Sequence, residues 1–230
     1  MSPVDADPPR GAGATWAGLP WREAGEPRSS FSPDLLVQGA RRAARDLLGV
    51  RLRSSVGGVV CEGVIVETEA YLGPEDPASH ASTRRITDRN RIMFGPAGVA
   101  YVYRSYGVHW CLNIVTGREG QGEAVLLRGL EPLAGEEAMR ARRGGRDPVA
   151  AGPGRLTQAL GVDGDLDGHR LDRPPLELVP GWAVSEEQVA VTGRVGISKV
   201  PEWPLRFFVK ASPGVSRAAA HPGDPDALPS

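Results

Sequence analysis

From Val64 to Tyr71 the chain alternates branched and polar residues over eight positions, a period of two that fits a half-buried strand and not a helix. Residues two apart in a strand share a face, so Glu67, Glu69 and Tyr71 project together while Val64, Val66 and Thr68 pack behind them. One wall then carries two carboxylates and an aromatic ring. Further strands are expected over residues 101–104 and 109–115, joined by Ser105-Tyr106-Gly107-Val108, whose glycine marks a tight turn. In this hairpin Trp110, Leu112 and Ile114 share one face, and His109, Cys111 and Asn113 the other. Tyr106 falls at the tip. All four tyrosines of the chain, Tyr71, Tyr101, Tyr103 and Tyr106, thus lie close to the carboxylates and to a later polar pair, Asn113 and Arg128. Flat rings beside carboxylates suggest a pocket for a planar ligand.

The rest of the chain sets this unit in one domain. Its 230 residues suit a single core, and 30 glycines with 21 prolines favour short strands and loops over a helical bundle. Ser32-Pro33-Asp34 opens a helix that Gly49 stops, with Leu35, Leu36, Ala40, Ala43, Ala44, Leu47 and Leu48 on its apolar stripe. Residues 50–54, 59–71, 124–130, 189–197 and 205–210 read as strands, and 135–143 and 155–160 as helices. Residues 1–30 and 217–230, rich in proline and without an apolar run, are expected to be a disordered leader and tail around a domain at 31–216. No signal peptide or membrane span is expected.

Lys plus Arg (27) nearly balances Asp plus Glu (28), so a basic surface has to be local. Arg84, Arg85, Arg89 and Arg91 surround a single Asp88. Such a run is most often a solvated face, but beside a pocket it can also grip phosphates. Cys61 and Cys111 form no CxxC pair, and His80, His109, His169 and His221 lack metal-ligand spacing, so neither metal nor cofactor is expected. Two cysteines in so long a chain suit the reducing cytoplasm. Gly117 to Gly122 lacks the Gly-Lys-Ser/Thr ending of a phosphate loop, and residues 163–172 lack the terminal glutamate of a calcium loop.

Several blocks, in order, resemble the alkyladenine (3-methyladenine) DNA glycosylase family. They are Glu-Thr-Glu-Ala-Tyr-Leu-Gly-Pro-Glu-Asp from Glu67, His80, Asp88-Arg89-Asn90-Arg91 with Met93-Phe94, Tyr101-Val-Tyr103, Tyr106-Gly107, Asn113-Ile114 and Leu126-Leu127-Arg128. Gly152-Pro153, Arg194-Val-Gly196 and Pro204-Leu-Arg-Phe207 follow. The resemblance implies an α+β domain, a mostly antiparallel curved sheet flanked by helices with a protruding hairpin. It also implies a monomeric, metal-free glycosylase that excises alkylated, and by extension deaminated or etheno, purines from double-stranded DNA. In that reading Glu69 is the general base and Arg128 holds it and its water. Tyr71, His80, Tyr103 and Asn113 enclose the flipped base, Tyr106 intercalates, and Arg84, Arg85, Arg89 and Arg91 contact phosphates. The chain has two lysines, Lys199 and Lys210, outside the matched pocket. A glycosylase that also cuts the backbone needs an amine for a Schiff base, so a monofunctional enzyme is expected. Val108 and His109 after the wedge glycine stand where the family carries larger apolar or aromatic residues, and Arg104, between Tyr103 and Tyr106, is an additional charge. Two other readings stay open: a non-catalytic nucleic-acid-binding module, and a small-nucleoside or glycoside hydrolase using Glu67 and Glu69 as an acid and base pair.

Overall fold

A computed structural model describes Pro27, Arg28 and residues 30–216; the expected leader up to residue 26 and the tail from 217 lie outside the described residues. Nine strands form one antiparallel sheet. They are β1 (Arg51–Ser54), β2 (Cys61–Tyr71), β3 (Ala100–Ser105), β4 (His109–Thr116), β5 (Glu123–Ala134), β6 (Asp172–Arg173), β7 (Leu176–Val179), β8 (Val189–Thr192) and β9 (Arg206–Val209). The main path runs β3-β4-β5-β2-β1-β7-β6, with β9 joining β2 and β8.

Strand β2 is the axis. Along one edge it pairs with β5 throughout; along the other it pairs first with β1 and then, from Glu67 to Glu69, with β9. Register breaks between Ile65 and Glu67 and between Glu67 and Thr68 mark bulges against β5, and bulges bend a strand and raise its twist. The sheet therefore curls where the glutamates lie. On its inner face Val64, Val66, Leu112, Ile114, Val125 and Leu127 are fully buried against α2 (Ala40–Asp46) and α4 (Pro153–Leu160). The other face of β3, β4 and β5 is partly covered by residues 78–94, where Ala81 and Met93 pack on Tyr101, Val115 and Ala124.

The single helix expected from Ser32 to Gly49 is broken. A short α1 (Asp34–Val37) ends before Gly39, whose φ of +90° no helix admits, and α2 starts afresh. The break is held from a distance: the Ala40 N–H donates to Glu123 Oε2 and the Gly117 N–H to Leu36 O. The expected apolar stripe is still buried apart from Leu35, which is half-buried, so the stripe fixes the packing but not the continuity. Helix α3 (Glu136–Arg142) follows Gly135 as expected. The strand expected over 189–197 stops at Thr192. Strands β6 and β7 were not foreseen; Leu176 to Val179 is too short between prolines to show a period, and it is ordered by pairing with β1.

The hairpin matches its sequence signal. Strands β3 and β4 pair in register from Ala100–Ile114 to Ser105–His109, and the Val108 N–H closes the turn on Ser105 O. In the three-residue loop between Ser105 and His109, Tyr106 (φ 50°) and Gly107 (φ 69°) both take positive φ, the left-handed region that glycine enters readily and other residues do not. Glycine does this without cost; tyrosine gives up about 1–2 kcal/mol. Tyr106 is 92% exposed and recovers none of that inside the fold.

Candidate active site

The concave face of β2 to β5 opens into a cavity of about 590 Å³ lined by Glu69, Tyr71, His80, Arg89, Tyr103, Asn113 and Arg128, with Tyr106 and Gly107 on its rim. Each side chain has an identifiable cause for its position.

Glu69 lies at the floor with no solvent exposure, although it borders the cavity. Its Oε1 accepts from the Val195 N–H (2.7 Å), its Oε2 from the Tyr71 hydroxyl (3.2 Å), and Arg128 Nη1 stands 3.3 Å from Oε1. Tyr71 is pinned as well, since the Arg194 guanidinium lies 4.7 Å from its ring centroid. Burial, then the Glu69 charge, push the Tyr71 hydroxyl well above its ordinary value, with Arg194 working against them. Tyr71 is therefore a neutral donor to the carboxylate across the working pH range.

The opposite wall is aromatic. Tyr101 and Tyr103 stack with centroids 5.4 Å apart, and the His80 ring stands edge-on to Tyr103 at 4.6 Å. His80 Nδ1 and the Tyr101 hydroxyl are 2.8 Å apart. Desolvation, then the Arg89 cation, lower His80 to about 4, so its ring is neutral near pH 7. Burial raises the Tyr101 hydroxyl to about 12 and raises Tyr103 further. Asn113 donates one amide N–H to Tyr101 O (3.0 Å) and is thereby fixed beside the ring edge of any occupant.

Behind this surface sit two buried ionic clusters. Glu67, fully enclosed, accepts from Arg128 Nε (2.9 Å), Arg206 Nε (2.8 Å) and both the N–H and hydroxyl of Ser216 (2.6 and 2.8 Å). Asp76 and Arg194, also enclosed, form a two-point pair, and Asp76 further accepts from the Leu72 and Ala78 N–H groups. For Arg128, burial disfavours the cation but Glu69 and Glu67 outweigh it, so its pKa is raised.

A family model described as methylpurine-DNA glycosylase matches residues 34–213. The chain belongs to the methylpurine-DNA glycosylase family. Among curated relatives, a protein of Methanoculleus marisnigri named for 3-methyladenine DNA glycosylase activity is 54% identical over 179 residues, 76% of this chain and 92% of its own. Similarly named proteins of Carboxydothermus hydrogenoformans (43% identical, 83% of this chain and 98% of theirs) and Agrobacterium fabrum (46%, 82% and 95%) match as well. As a DNA glycosylase the protein is an enzyme of base excision repair that hydrolyses N-glycosidic bonds.

In this glycosylase the cavity brings together seven of the residues singled out in the sequence: Glu69, Arg128, Tyr71, His80, Tyr103, Asn113 and Arg89. Tyr106 stands at the rim. The four arginines divide: Arg89 lines the cavity with its guanidinium 5.5 Å from the Tyr103 centroid, whereas Arg84, Arg85 and Arg91 are exposed on the neighbouring connection outside it. Arg104 stacks on its cross-strand partner Trp110 at 5.4 Å. Five contributors were not singled out in the sequence: the Val195 N–H, Arg194, Asp76, Arg206 and Ser216. The signal for most of them was present, since Arg194-Val-Gly196 and Pro204-Leu-Arg-Phe207 stand out as blocks. Among the described residues no three His, Cys, Asp or Glu side chains are grouped to hold a metal, and no helix is long and apolar enough to cross a membrane.

Proposed function

We propose that this glycosylase excises alkylated purines from double-stranded DNA, monofunctionally, by flipping the nucleotide into the cavity and directing water at the sugar's anomeric carbon. The observation that carries the reading is Glu69, fixed by three donors at the floor of an aromatic cavity beneath an exposed tyrosine on a rigid turn. A stacked purine hides its glycosidic bond, so the nucleotide has to be rotated outward. Tyr106 fills the space left behind, and Tyr71, His80 and Tyr103 stack on the extruded ring, each such contact worth about 1–3 kcal/mol. Electron-rich faces favour a cationic methylated purine, and a neutral His80 adds no repelling charge.

In the chemical step water oxygen bonds to the anomeric carbon, its proton passes to the Glu69 carboxylate, and the carbon–nitrogen bond breaks with its electron pair retained by the departing base. A cationic alkylated purine leaves as a neutral molecule and needs no acid. Deaminated and etheno purines are neutral, so their release requires a proton on the ring as well; we include them as slower substrates. Arg128 orients Glu69, and Arg84, Arg85, Arg89 and Arg91 hold the flanking phosphates. None of the residues lining the cavity is a lysine, which supports release by water and not by a Schiff base. The enzyme acts as a monomer in the cytoplasm, without a metal.

The test is incubation with duplexes carrying one defined lesion each, followed by alkali, beside the corresponding free nucleosides. Alkali-dependent strand cleavage at the lesion is expected from duplex DNA, with little hydrolysis of nucleosides. Cleavage without alkali would overturn the monofunctional reading. Nucleoside hydrolysis at the duplex rate would favour a small-nucleoside hydrolase.

A further inference from the structure

The reading of Glu69 as general base leaves its twin unexplained. Glu67 lies two residues away on the same face of β2, is equally enclosed, and does not border the cavity. Its four donors saturate it: Arg128 Nε, Arg206 Nε and the Ser216 hydroxyl converge on Oε1, and the Ser216 N–H takes Oε2. A carboxylate so committed has no lone pair facing substrate. An acid and base pair of Glu67 with Glu69 is therefore not what this arrangement builds.

What it builds is a brace. Arg128 lies between the two glutamates, with Nε on Glu67 at 2.9 Å and Nη1 near Glu69 at 3.3 Å. A guanidinium is a rigid plane with donors at fixed angles, so anchoring Nε on Glu67 sets where Nη1 points. Glu67 in turn is placed by Arg206 at the start of β9 and by Ser216, the last described residue, 149 positions away in sequence. Ser216 also contacts Arg128 directly, its hydroxyl oxygen lying 3.3 Å from Nη2, and its backbone oxygen accepts from Arg206 Nη2 at 3.3 Å. The four ionised groups, Glu67, Glu69, Arg128 and Arg206, balance in charge, and all are at most 5% exposed.

The backbone is shaped to admit this strap. Gly129 pairs with Glu67 across the bulge, and a Cβ on Gly129 would stand 2.3 Å from Gly214 O; a Cβ on Gly214 would meet Leu130 O at 2.7 Å. Both positions must be glycine for residues 212–216 to cross β5 closely enough for Ser216 to reach Glu67. The Ser212 hydroxyl, bonded to Glu131 and accepting from the Gly214 N–H, fixes the start of the crossing.

From this geometry we infer that Ser216, Arg206 and Glu67 are positioning residues of the reaction: a C-terminal strap, closed on Glu67, sets the angle at which Arg128 meets the Glu69 carboxylate. The inference rests on Glu69 acting in base release, and its effect is on rate and not on DNA capture. A misplacement of about 1 Å at a reacting centre costs on the order of 100-fold.

The experiment compares wild type with Ser216→Ala, Ser216→Thr, Arg128→Lys and the Ser216→Ala/Arg128→Lys double variant in the full chain. Each is measured for single-turnover base release from a duplex with one 7-methylguanine, for affinity to a duplex with a tetrahydrofuran abasic analogue, and for thermal midpoint. Ser216→Ala is expected to slow release roughly 10- to 100-fold with affinity unchanged to within about twofold. Ser216→Thr, which keeps the hydroxyl, restores most of the rate. The double variant is expected to be little slower than Arg128→Lys alone, because serine acts through arginine. Wild-type release by Ser216→Ala would overturn the inference. So would slowing matched by an equal loss of affinity, or rate losses that multiply independently. If Ser216→Ala is too unstable to assay, Arg206→Lys, which keeps the cation, gives the same decision by the same three readouts. A wild type that releases no base from any alkylated duplex would instead bring down the functional reading, and the inference with it.

Discussion

Replacing Asp76 by alanine is the sharpest probe of how the Tyr71 wall of the cavity is held. Asp76 and Arg194 both have no side-chain exposure. Arg194 also donates to Ala70 O at 3.0 Å and supports the Tyr71 ring. Without Asp76 a buried guanidinium loses its counter-charge, and the Leu72 and Ala78 N–H groups lose their acceptor. Breaking a buried pair from one side costs about 3–5 kcal/mol. In a domain of this size each kcal/mol is worth about 2–4 °C, so the thermal midpoint should fall by roughly 6–20 °C. Urea denaturation followed by tryptophan fluorescence gives the same quantity from the shift in midpoint at constant slope. The double variant Asp76→Ala/Arg194→Met removes the stranded charge and should recover at least about 1 kcal/mol relative to the sum of the single changes. A single variant within about 1 kcal/mol of wild type, or strict additivity in the double, would refute the claim that this pair supports the wall.

Tyr106→Gly should leave stability unchanged or raise it, since the side chain is 92% exposed at φ 50° and glycine relieves about 1–2 kcal/mol of left-handed strain. The same change should weaken capture of a damaged duplex about tenfold or more through the lost stacking contact, measured by fluorescence anisotropy. His80, held at about 4 by burial and then by Arg89, should show no titration between pH 5.5 and 8 by NMR. The folded state then binds fewer protons than the unfolded chain below pH 6.5, so this group contributes stability above 6.5 that is lost as pH falls toward 4; a midpoint at 6 or higher would contradict it. Arg89→Ala should raise the His80 midpoint without bringing it to 6.5, because burial is the larger cause.

How much of this was legible in the chain depends on the range of the interactions involved. Strand β2 and the hairpin are written locally, in an alternation of period two and in a glycine turn, and the side chains they aim at one another, Glu69, Tyr71, Tyr103 and Asn113, line one cavity. What separates Glu67 from Glu69 is not local. Both sit in the same pattern, and the distinction comes from partners 139 and 149 residues away that occupy only the first. The Asp76–Arg194 pair spans 118 residues and puts an arginine in the interior, where the residue type gives no warning. The broken helix at Gly39 has the same origin: its apolar stripe is continuous, but Glu123 takes the N–H that restarts it.

The central claim is that Glu69 prepares the attacking water while the aromatic walls hold the base, and Glu69→Gln separates the two roles. Gln keeps the shape, its amide oxygen can take the Val195 N–H and its amide nitrogen can donate to the Tyr71 hydroxyl oxygen, but it cannot take the proton. Single-turnover release from a 7-methylguanine duplex should fall by about 10²–10⁴-fold, with affinity for the same duplex within a few-fold of wild type. Release at the wild-type rate, or binding lost in step with catalysis, would contradict the account.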